Sequence, residues 1–290
     1  MRARPSGYIW NSAESKGAEL SGATYPLSFQ IPTLLAVSRI LRSKPARTVL
    51  SVWSWFVLGA ALFFIVPLVG LIRLATWRDE GRYRAGLMFR KVAVVHQKLN
   101  PLWKFTVSGT VPSDPRRPYV VVANHVSFVD ILLISHLPFE MKWMSKTEMF
   151  KIPWVGWGMR LAGDIELDRS DARAGAHALI ESRERLKHHV SVMIFPEGTR
   201  SESGELQDFK DGAFRLAVQL GLPILPLAVI GTRDALVKHD WRFGYSEAEV
   251  RVLDPIETTG MTKRDAPALR DRTRTAIAEA LDTMRAERAA

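Results

Sequence analysis

Residues 120–130 read Val-Val-Val-Ala-Asn-His-Val-Ser-Phe-Val-Asp, and they set the architecture expected for the whole 290-residue chain. Val120 to Val122 are typical of a buried strand, and the apolar residues from Phe128 to Ile134 indicate the start of a helix. His125 therefore lies on a strand-to-helix turn. At the carboxyl edge of a sheet, such turns commonly carry catalytic side chains.

His125 and Asp130 are the first candidate catalytic pair. A histidine accepts a proton near neutral pH, and a carboxylate on its other ring nitrogen can hold it in one tautomer. Asp130 follows about one helical turn later, near enough to fold back onto the ring. Taken alone, the pair has an equally good structural explanation: a half-exposed loop histidine, and an unrelated aspartate that caps the helix. The remaining blocks of the sequence favour the chemical explanation.

Three further blocks follow the first in order along the chain. Gly163-Asp164-Ile165-Glu166-Leu167-Asp168-Arg169 contains a short predicted strand. Phe195-Pro196-Glu197-Gly198-Thr199-Arg200-Ser201 follows a predicted strand at residues 190–195. Leu222-Pro223-Ile224-Leu225-Pro226 opens another apolar strand.

In this order the four blocks resemble those of the lysophosphatidate (1-acylglycerol-3-phosphate) acyltransferase family, of the PlsC type. The first block matches the His-x-x-x-x-Asp signature of glycerolipid acyltransferases. The resemblance covers about residues 100 to 257, and the first and third blocks are its specific parts. It implies that His125 and Asp130 are catalytic and that the second and third blocks bind the acceptor.

Glu197-Gly198-Thr199-Arg200 has the parts of a phosphate site. Gly198 allows the backbone to approach closely, Thr199 offers a hydroxyl, and the planar guanidinium of Arg200 suits phosphate oxygens. Glu197 either accepts a hydrogen bond from a glycerol hydroxyl or holds Arg200. An isolated Glu-Gly-Thr-Arg would more simply be a tight turn with a surface ion pair, but the first block and the resemblance favour the site. The other candidate phosphate contacts are Arg169 and Lys210.

Acyl transfer from a thioester to a hydroxyl needs a base, oxyanion donors and an oriented acceptor. We therefore expect an enzyme that moves a fatty acyl group from acyl-CoA or acyl carrier protein to the sn-2 hydroxyl of 1-acylglycerol-3-phosphate, giving phosphatidate. No cofactor besides the donor and no metal is expected. Two alternatives remain open. One is acylation of another lysolipid such as lyso-ornithine lipid; the other is a noncatalytic membrane lipid-binding protein, which the intact His125 and Asp130 pair disfavours.

The charge of the chain favours an anionic partner. Forty basic and 30 acidic residues give a net charge of +10, which suits a lipid surface, a phosphorylated substrate, an acidic carrier protein or nucleic acid. Nine tryptophans favour the membrane, because indole prefers its interface. No recognition motif for nucleic acid accompanies the charge. The absence of cysteine excludes disulfides and thiolate metal sites.

Residues 48–72 carry no charge and are long enough to cross a bilayer of about 30 Å as a helix. Both flanks are basic, which favours a re-entrant hairpin at one membrane face over a single span. A buried core helix is the third possibility. We expect membrane association at the cytoplasmic face of the inner membrane.

Three regions are predicted: a mobile leader at residues 1–30, a membrane-associated helical region at residues 31–99, and an α/β acyltransferase domain at residues 100–290. Strands alternate with helices from residue 104 onward, which predicts a mixed, mainly parallel sheet flanked by helices. The apolar, aromatic residues from Thr147 to Leu161 either line an acyl site or pack in the core.

Overall fold

The computed structural model describes residues 40–168, 172–237 and 240–290. The leader predicted at residues 1–30 and the candidate phosphate contact Arg169 lie outside the described residues. Residues 38–290 cluster as one compact unit, and the boundary placed near residue 100 stays a prediction.

A seven-stranded sheet runs through the centre of the unit, in the order β1-β7-β6-β2-β5-β3-β4. β6 and β7 are antiparallel neighbours, and the other neighbouring pairs are parallel. The prediction of a mixed, mainly parallel sheet is therefore confirmed. The strands are β1 (Trp103–Gly109), β2 (Val120–Ala123), β3 (Met141–Lys146), β4 (Ile165–Leu167), β5 (Ser191–Ile194), β6 (Ile224–Ile230) and β7 (Ser246–Val252).

Helices cover both faces of the sheet. They are α1 (Lys44–Ala75), α2 (Tyr83–Lys98), α3 (Val129–Ile134), α4 (Thr147–Lys151), α5 (Val155–Ala162), α6 (Ala172–Lys187), α7 (Gly212–Leu220) and α8 (Ala266–Ala289). Successive side chains of a strand point to opposite faces. Val120 and Val122 accordingly pack with α6, α7 and α8, whereas Val121 packs with α3 on the other face. Burial on both faces explains why β2 reads as a continuous apolar run.

The re-entrant hairpin expected within residues 48–72 is wrong, because α1 is one unbroken helix through all of them. The run contains no Asn or Asp, its two serines lie within the helix, and Pro67 is accommodated inside it. The chain reverses only at residues 76–82, where Asp79 and Gly81 supply turn chemistry. Among the described residues, α1 is the one helix long and apolar enough to cross a membrane.

A stripe along α1 packs onto α2 and α5. Its buried apolar residues are Val57, Ala61, Leu62, Val66 and Val69. All of them but Val57 share an apolar cluster with residues of both helices. The opposite face carries exposed large apolar side chains. One face of α1 is thus covered by the α/β fold, and its opposite face is exposed.

Candidate active site

The site begins where β2 ends, at the carboxyl edge of the sheet. Asn124, the next residue, is 3% exposed. Its side-chain amide donates to the carbonyl of Val229 at 2.8 Å and accepts from the amide of Val229 at 2.8 Å. The side chain thus pairs with the backbone of Val229 in β6 as a peptide group of a neighbouring strand would, and it fixes where the backbone of β2 leaves the sheet.

His125 and Asp130 come together as the spacing predicts. His125 Nδ1 lies 2.8 Å from Asp130 Oδ2. The same oxygen accepts hydrogen bonds from the backbone amides of Val126 and Ser127, at 2.8 and 2.9 Å. Because an ionised carboxylate only accepts hydrogen bonds, Nδ1 must donate. The basic lone pair is therefore left on Nε2, which faces away from Asp130.

Thr232 completes the surroundings of the carboxylate. Its hydroxyl donates to Asp130 Oδ1, and both side chains belong to fully buried residues. Sequence reasoning missed this residue, because Thr232 lies 102 positions from Asp130 in a loop with no recognisable motif. With this bond, both oxygens of the buried carboxylate have hydrogen-bond donors.

Phe195 supports the imidazole from one side. The two rings stack with centroids 3.8 Å apart and planes inclined by 11°. Phe195 follows β5 directly and belongs to the third block, so the parallel pairing of β2 with β5 brings it to the histidine. The ring of His125 is thus fixed both by Asp130 and by stacking, with its side chain 13% exposed.

Glu197 acts on the histidine turn rather than on Arg200. Its Oε1 accepts a hydrogen bond from the backbone amide of His125 at 2.8 Å, and the residue is 4% exposed. Its other oxygen, Oε2, is buried, and it has no hydrogen-bond partner among the residues that the structure describes. Burial raises the pKa of Glu197 to about 7, against the lowering effect of the bond from His125. The expectation that Glu197 holds Arg200 is not met in the described part of the chain.

Gly198 and Lys210 are brought into contact. Gly198 has φ +76°, and a Cβ built there would lie 2.8 Å from Lys210 Nζ. Lys210 is held in place by its backbone amide, which donates to the carbonyl of Pro196 at 2.9 Å. The Thr199 and Arg200 side chains are exposed on the same turn. The next residue, Ser201, donates its amide to the carbonyl of His125 at 2.8 Å.

Two largely apolar clefts lie on opposite faces of the sheet. The first is formed by α1, α2, α3, α4 and α5. It extends to the helix that follows His125, where its lining residues are Phe128, Ile131 and Leu132. The second lies against α6 and α7, where Phe195 and Lys210 belong to its lining. The predicted acyl-site residues Met149, Val155 and Met159 line the first cleft. In the part of the chain that the structure describes, no group of three His, Asp or Glu side chains is placed to hold a metal ion.

Comparison with known proteins agrees with this geometry. A family model described as Acyltransferase matches residues 104–230, a range that contains His125, Asp130 and the Glu197 turn. The human 1-acyl-sn-glycerol-3-phosphate acyltransferase alpha is 32% identical over 230 residues, covering 76% of this chain and 81% of the human protein. The chain belongs to the 1-acyl-sn-glycerol-3-phosphate acyltransferase family.

Other members of this acyltransferase family are similar over most of the chain. The chloroplastic 1-acyl-sn-glycerol-3-phosphate acyltransferase LPAT1 of Arabidopsis thaliana is 30% identical over 274 residues, 91% of this chain and 71% of that protein. The crystal structure of the 1-acyl-sn-glycerophosphate acyltransferase PlsC from Thermotoga maritima superposes with a TM-score of 0.69 at 28% identity. It covers 84% of this chain and 98% of that one. The resemblance to this acyltransferase family and the fold class are thereby confirmed.

Proposed function

We propose that this acyltransferase esterifies the sn-2 hydroxyl of 1-acylglycerol-3-phosphate and forms phosphatidate, a step of phospholipid biosynthesis. The observation that carries the proposal is the pair of His125 and the buried Asp130, at 2.8 Å, held against the Glu197 turn by the bond from the His125 amide. The names of the relatives support the choice of acceptor.

His125 acts as the general base through Nε2. It takes the proton of the acceptor hydroxyl as the oxygen attacks the thioester carbonyl carbon, and Asp130 stabilises the resulting imidazolium. The tetrahedral intermediate then collapses, the C–S bond breaks, and the thiolate leaves with the proton returned from His125. The acceptor oxygen attacks directly, so the step needs no serine nucleophile. Ser127 has another task, since its backbone amide binds Asp130.

The first cleft is placed to receive an acyl chain. Apolar side chains from α1, α2 and α3 line it, and it reaches the helix that begins directly after the catalytic turn. The pairing of Arg90 with Asp164 occupies part of its wall. A chain held there would extend from the histidine into the apolar layer between the sheet and α1. The donor is an acyl thioester, carried by coenzyme A or by acyl carrier protein.

The phosphate of the acceptor is assigned to the turn after β5. Lys210 Nζ is packed over Gly198. Arg200, two residues after Gly198, is exposed on the same turn. A phosphomonoester carries up to two negative charges, which a guanidinium fork can bind through two parallel hydrogen bonds. Arg169 is proposed as a further phosphate contact on the basis of its position in the second block.

α1 is proposed to rest in one membrane leaflet rather than to cross the bilayer. Its buried stripe runs from Ser51 to Val69 and is covered by α2 and α5. A perpendicular span would therefore draw the polar α/β fold into the lipid. An in-plane helix instead exposes only its apolar face to lipid and keeps both basic ends at the surface. The cytoplasmic face of the inner membrane suits this arrangement.

The experiment that tests this function offers the purified chain a panel of lysolipids with acyl-CoA and acyl carrier protein donors. Phosphatidate from 1-acylglycerol-3-phosphate supports the proposal. Good turnover of lyso-ornithine lipid with poor turnover of 1-acylglycerol-3-phosphate contradicts it. Arg200→Lys serves as the matched variant: it should raise the KM for the phosphate-bearing acceptor and leave that for a phosphate-free acceptor unchanged.

A further inference from the structure

The loop between β6 and β7 presents two large apolar side chains to solvent. Val237 and Trp241 are each 50% exposed, although the loop belongs to the α/β fold and not to α1. Isolated apolar residues on a surface need no explanation, but contiguous patches mark interaction sites. Trp241 is not isolated. Its carbonyl accepts the indole N–H of Trp55, on α1, at 2.9 Å.

The loop is fastened to α1 at several points. Arg47 Nε donates to the carbonyl of Phe243 at 3.1 Å, and the amide of Phe243 donates to Ser51 Oγ at 2.8 Å. The Trp55 ring also lies 4.9 Å from the Phe243 ring, centroid to centroid. These contacts hold the loop directly against α1, next to the exposed face of that helix.

We propose that Val237 and Trp241, together with Trp53, Trp55 and Phe56, form a second lipid contact, and we call these five residues the aromatic edge. The occupant is the phospholipid bilayer. The inference rests on the proposed membrane location of α1 and adds a contact made by the catalytic fold itself.

Hydrogen bonding at the aromatic edge suits lipid. Trp53 and Trp55 are 45% and 42% exposed, yet their indole N–H groups donate to the carbonyls of Leu99 and Trp241, each at 2.9 Å. Both rings therefore present carbon to the exterior without an unpaired donor, as an apolar phase requires. An aromatic residue facing only water has no need of this.

Charge around the aromatic edge suits an anionic membrane surface. The Arg42 guanidinium and the Lys104 ammonium lie 5.1 and 5.8 Å from the Tyr245 ring centroid, and Arg47 is close by. The nearby acidic residues are paired: Asp240 with Arg242 and Arg47, and Glu247 with Lys104. Basic residues beside an apolar face draw a protein to anionic lipid.

The contact sets the orientation of the active site. The same loop begins with Thr232, whose hydroxyl binds Asp130. Seating Trp241 in the interface therefore places the carboxyl edge of β6, and with it His125, at the bilayer surface. A lysolipid acceptor then reaches the histidine without leaving the membrane.

The test uses single cysteines, since the chain has none of its own. Trp241→Cys and Val237→Cys carry an environment-sensitive probe in the full-length protein. Phe64→Cys, on the exposed face of α1, and Thr275→Cys, exposed on α8, are the matched controls. Each is mixed with vesicles of equal parts phosphatidylcholine and phosphatidylglycerol, and quenching by lipid-borne and aqueous quenchers is compared.

Probes at residues 64, 237 and 241 should enter the lipid, while the probe at residue 275 stays aqueous. An aqueous probe at residues 237 and 241, with residue 64 in lipid, overturns the aromatic edge and leaves the membrane location of α1 standing. An aqueous probe at residue 64 overturns the membrane location as well.

Trp241→Glu should also weaken vesicle binding by about tenfold or more, with turnover of a detergent-dispersed acceptor unchanged. Vesicle binding equal to that of the wild type would contradict the lipid contact.

Discussion

Replacing Asp130 by asparagine tests how the buried carboxylate acts on the histidine. Oδ2 accepts from His125 Nδ1 and from the amides of Val126 and Ser127. Because all three are donors, asparagine must place its carbonyl oxygen there and turn its NH2 toward Thr232, whose hydroxyl can reverse and accept. The imidazole thus keeps the tautomer with its proton on Nδ1. What asparagine removes is the negative charge.

That charge has a calculable effect on the rate. A full charge about 4 Å from the imidazolium stabilises it by about 4 kcal/mol at an effective dielectric constant of about 20. Each 1.4 kcal/mol is about a factor of ten in rate, so kcat should fall on the order of 10³-fold. The imidazolium forms only during the reaction, so the KM for the acceptor should change little.

The assay follows thiol release from acyl-CoA with a chromogenic thiol reagent, which the cysteine-free chain does not consume. Asp282→Asn, at an exposed position of α8 paired with Arg285, is the control and should retain wild-type turnover. Thermal melting of both variants monitors the fold. A folded Asp130→Asn enzyme within tenfold of wild-type turnover would show that the charge is not needed and would refute this reasoning.

Three further substitutions probe the surroundings of the histidine. Thr232→Val leaves Asp130 Oδ1 buried without its donor and should lower the free energy of unfolding by about 1.5–3 kcal/mol, whereas Thr232→Ser should restore it; equal denaturant midpoints for both would exclude the bond. Burial raises the pKa of Glu197 from 4.5 to about 7, so the folded state binds the proton more tightly than the unfolded state. The free energy of unfolding should therefore fall by about 3 kcal/mol as the pH rises from about 4.5 to above about 7. Glu197→Gln should abolish this fall, and an unchanged pH profile of unfolding would contradict the shift. Gly198→Ala meets both a positive φ and Lys210 Nζ, and should raise the KM for 1-acylglycerol-3-phosphate; a wild-type KM would show that the turn does not bind the acceptor.

Much of the fold follows from local patterns. The three valines of β2, the alternation in β1 and the apolar run of β6 each predict a strand within a few residues of its observed bounds. Parallel pairing brings the ends of β2 and β5 together, so the first and third blocks meet. Local spacing also predicts the contact between His125 and Asp130, since one helical turn separates them.

Other features depend on contacts that no local pattern encodes. Thr232 reaches Asp130 only because β6 lies next to β2 in the sheet. The bond between Glu197 and the His125 amide depends on how two loops fold over one another, and a carboxylate beside an arginine in sequence predicts an ion pair instead. The hairpin predicted within residues 48–72 is wrong because basic flanks at both ends suit one continuous helix as well as a hairpin. Packing on α2 and α5 distinguishes the two.

We propose His125 as the base for acyl transfer to a lysolipid hydroxyl. The most direct test measures turnover of 1-acylglycerol-3-phosphate by His125→Ala, with folding checked by thermal melting and vesicle binding. General base catalysis supplies on the order of 10²–10⁴-fold. We expect a folded, membrane-bound protein with turnover reduced at least about 10²-fold; a folded variant that kept more than a tenth of wild-type turnover would show that His125 is not the base.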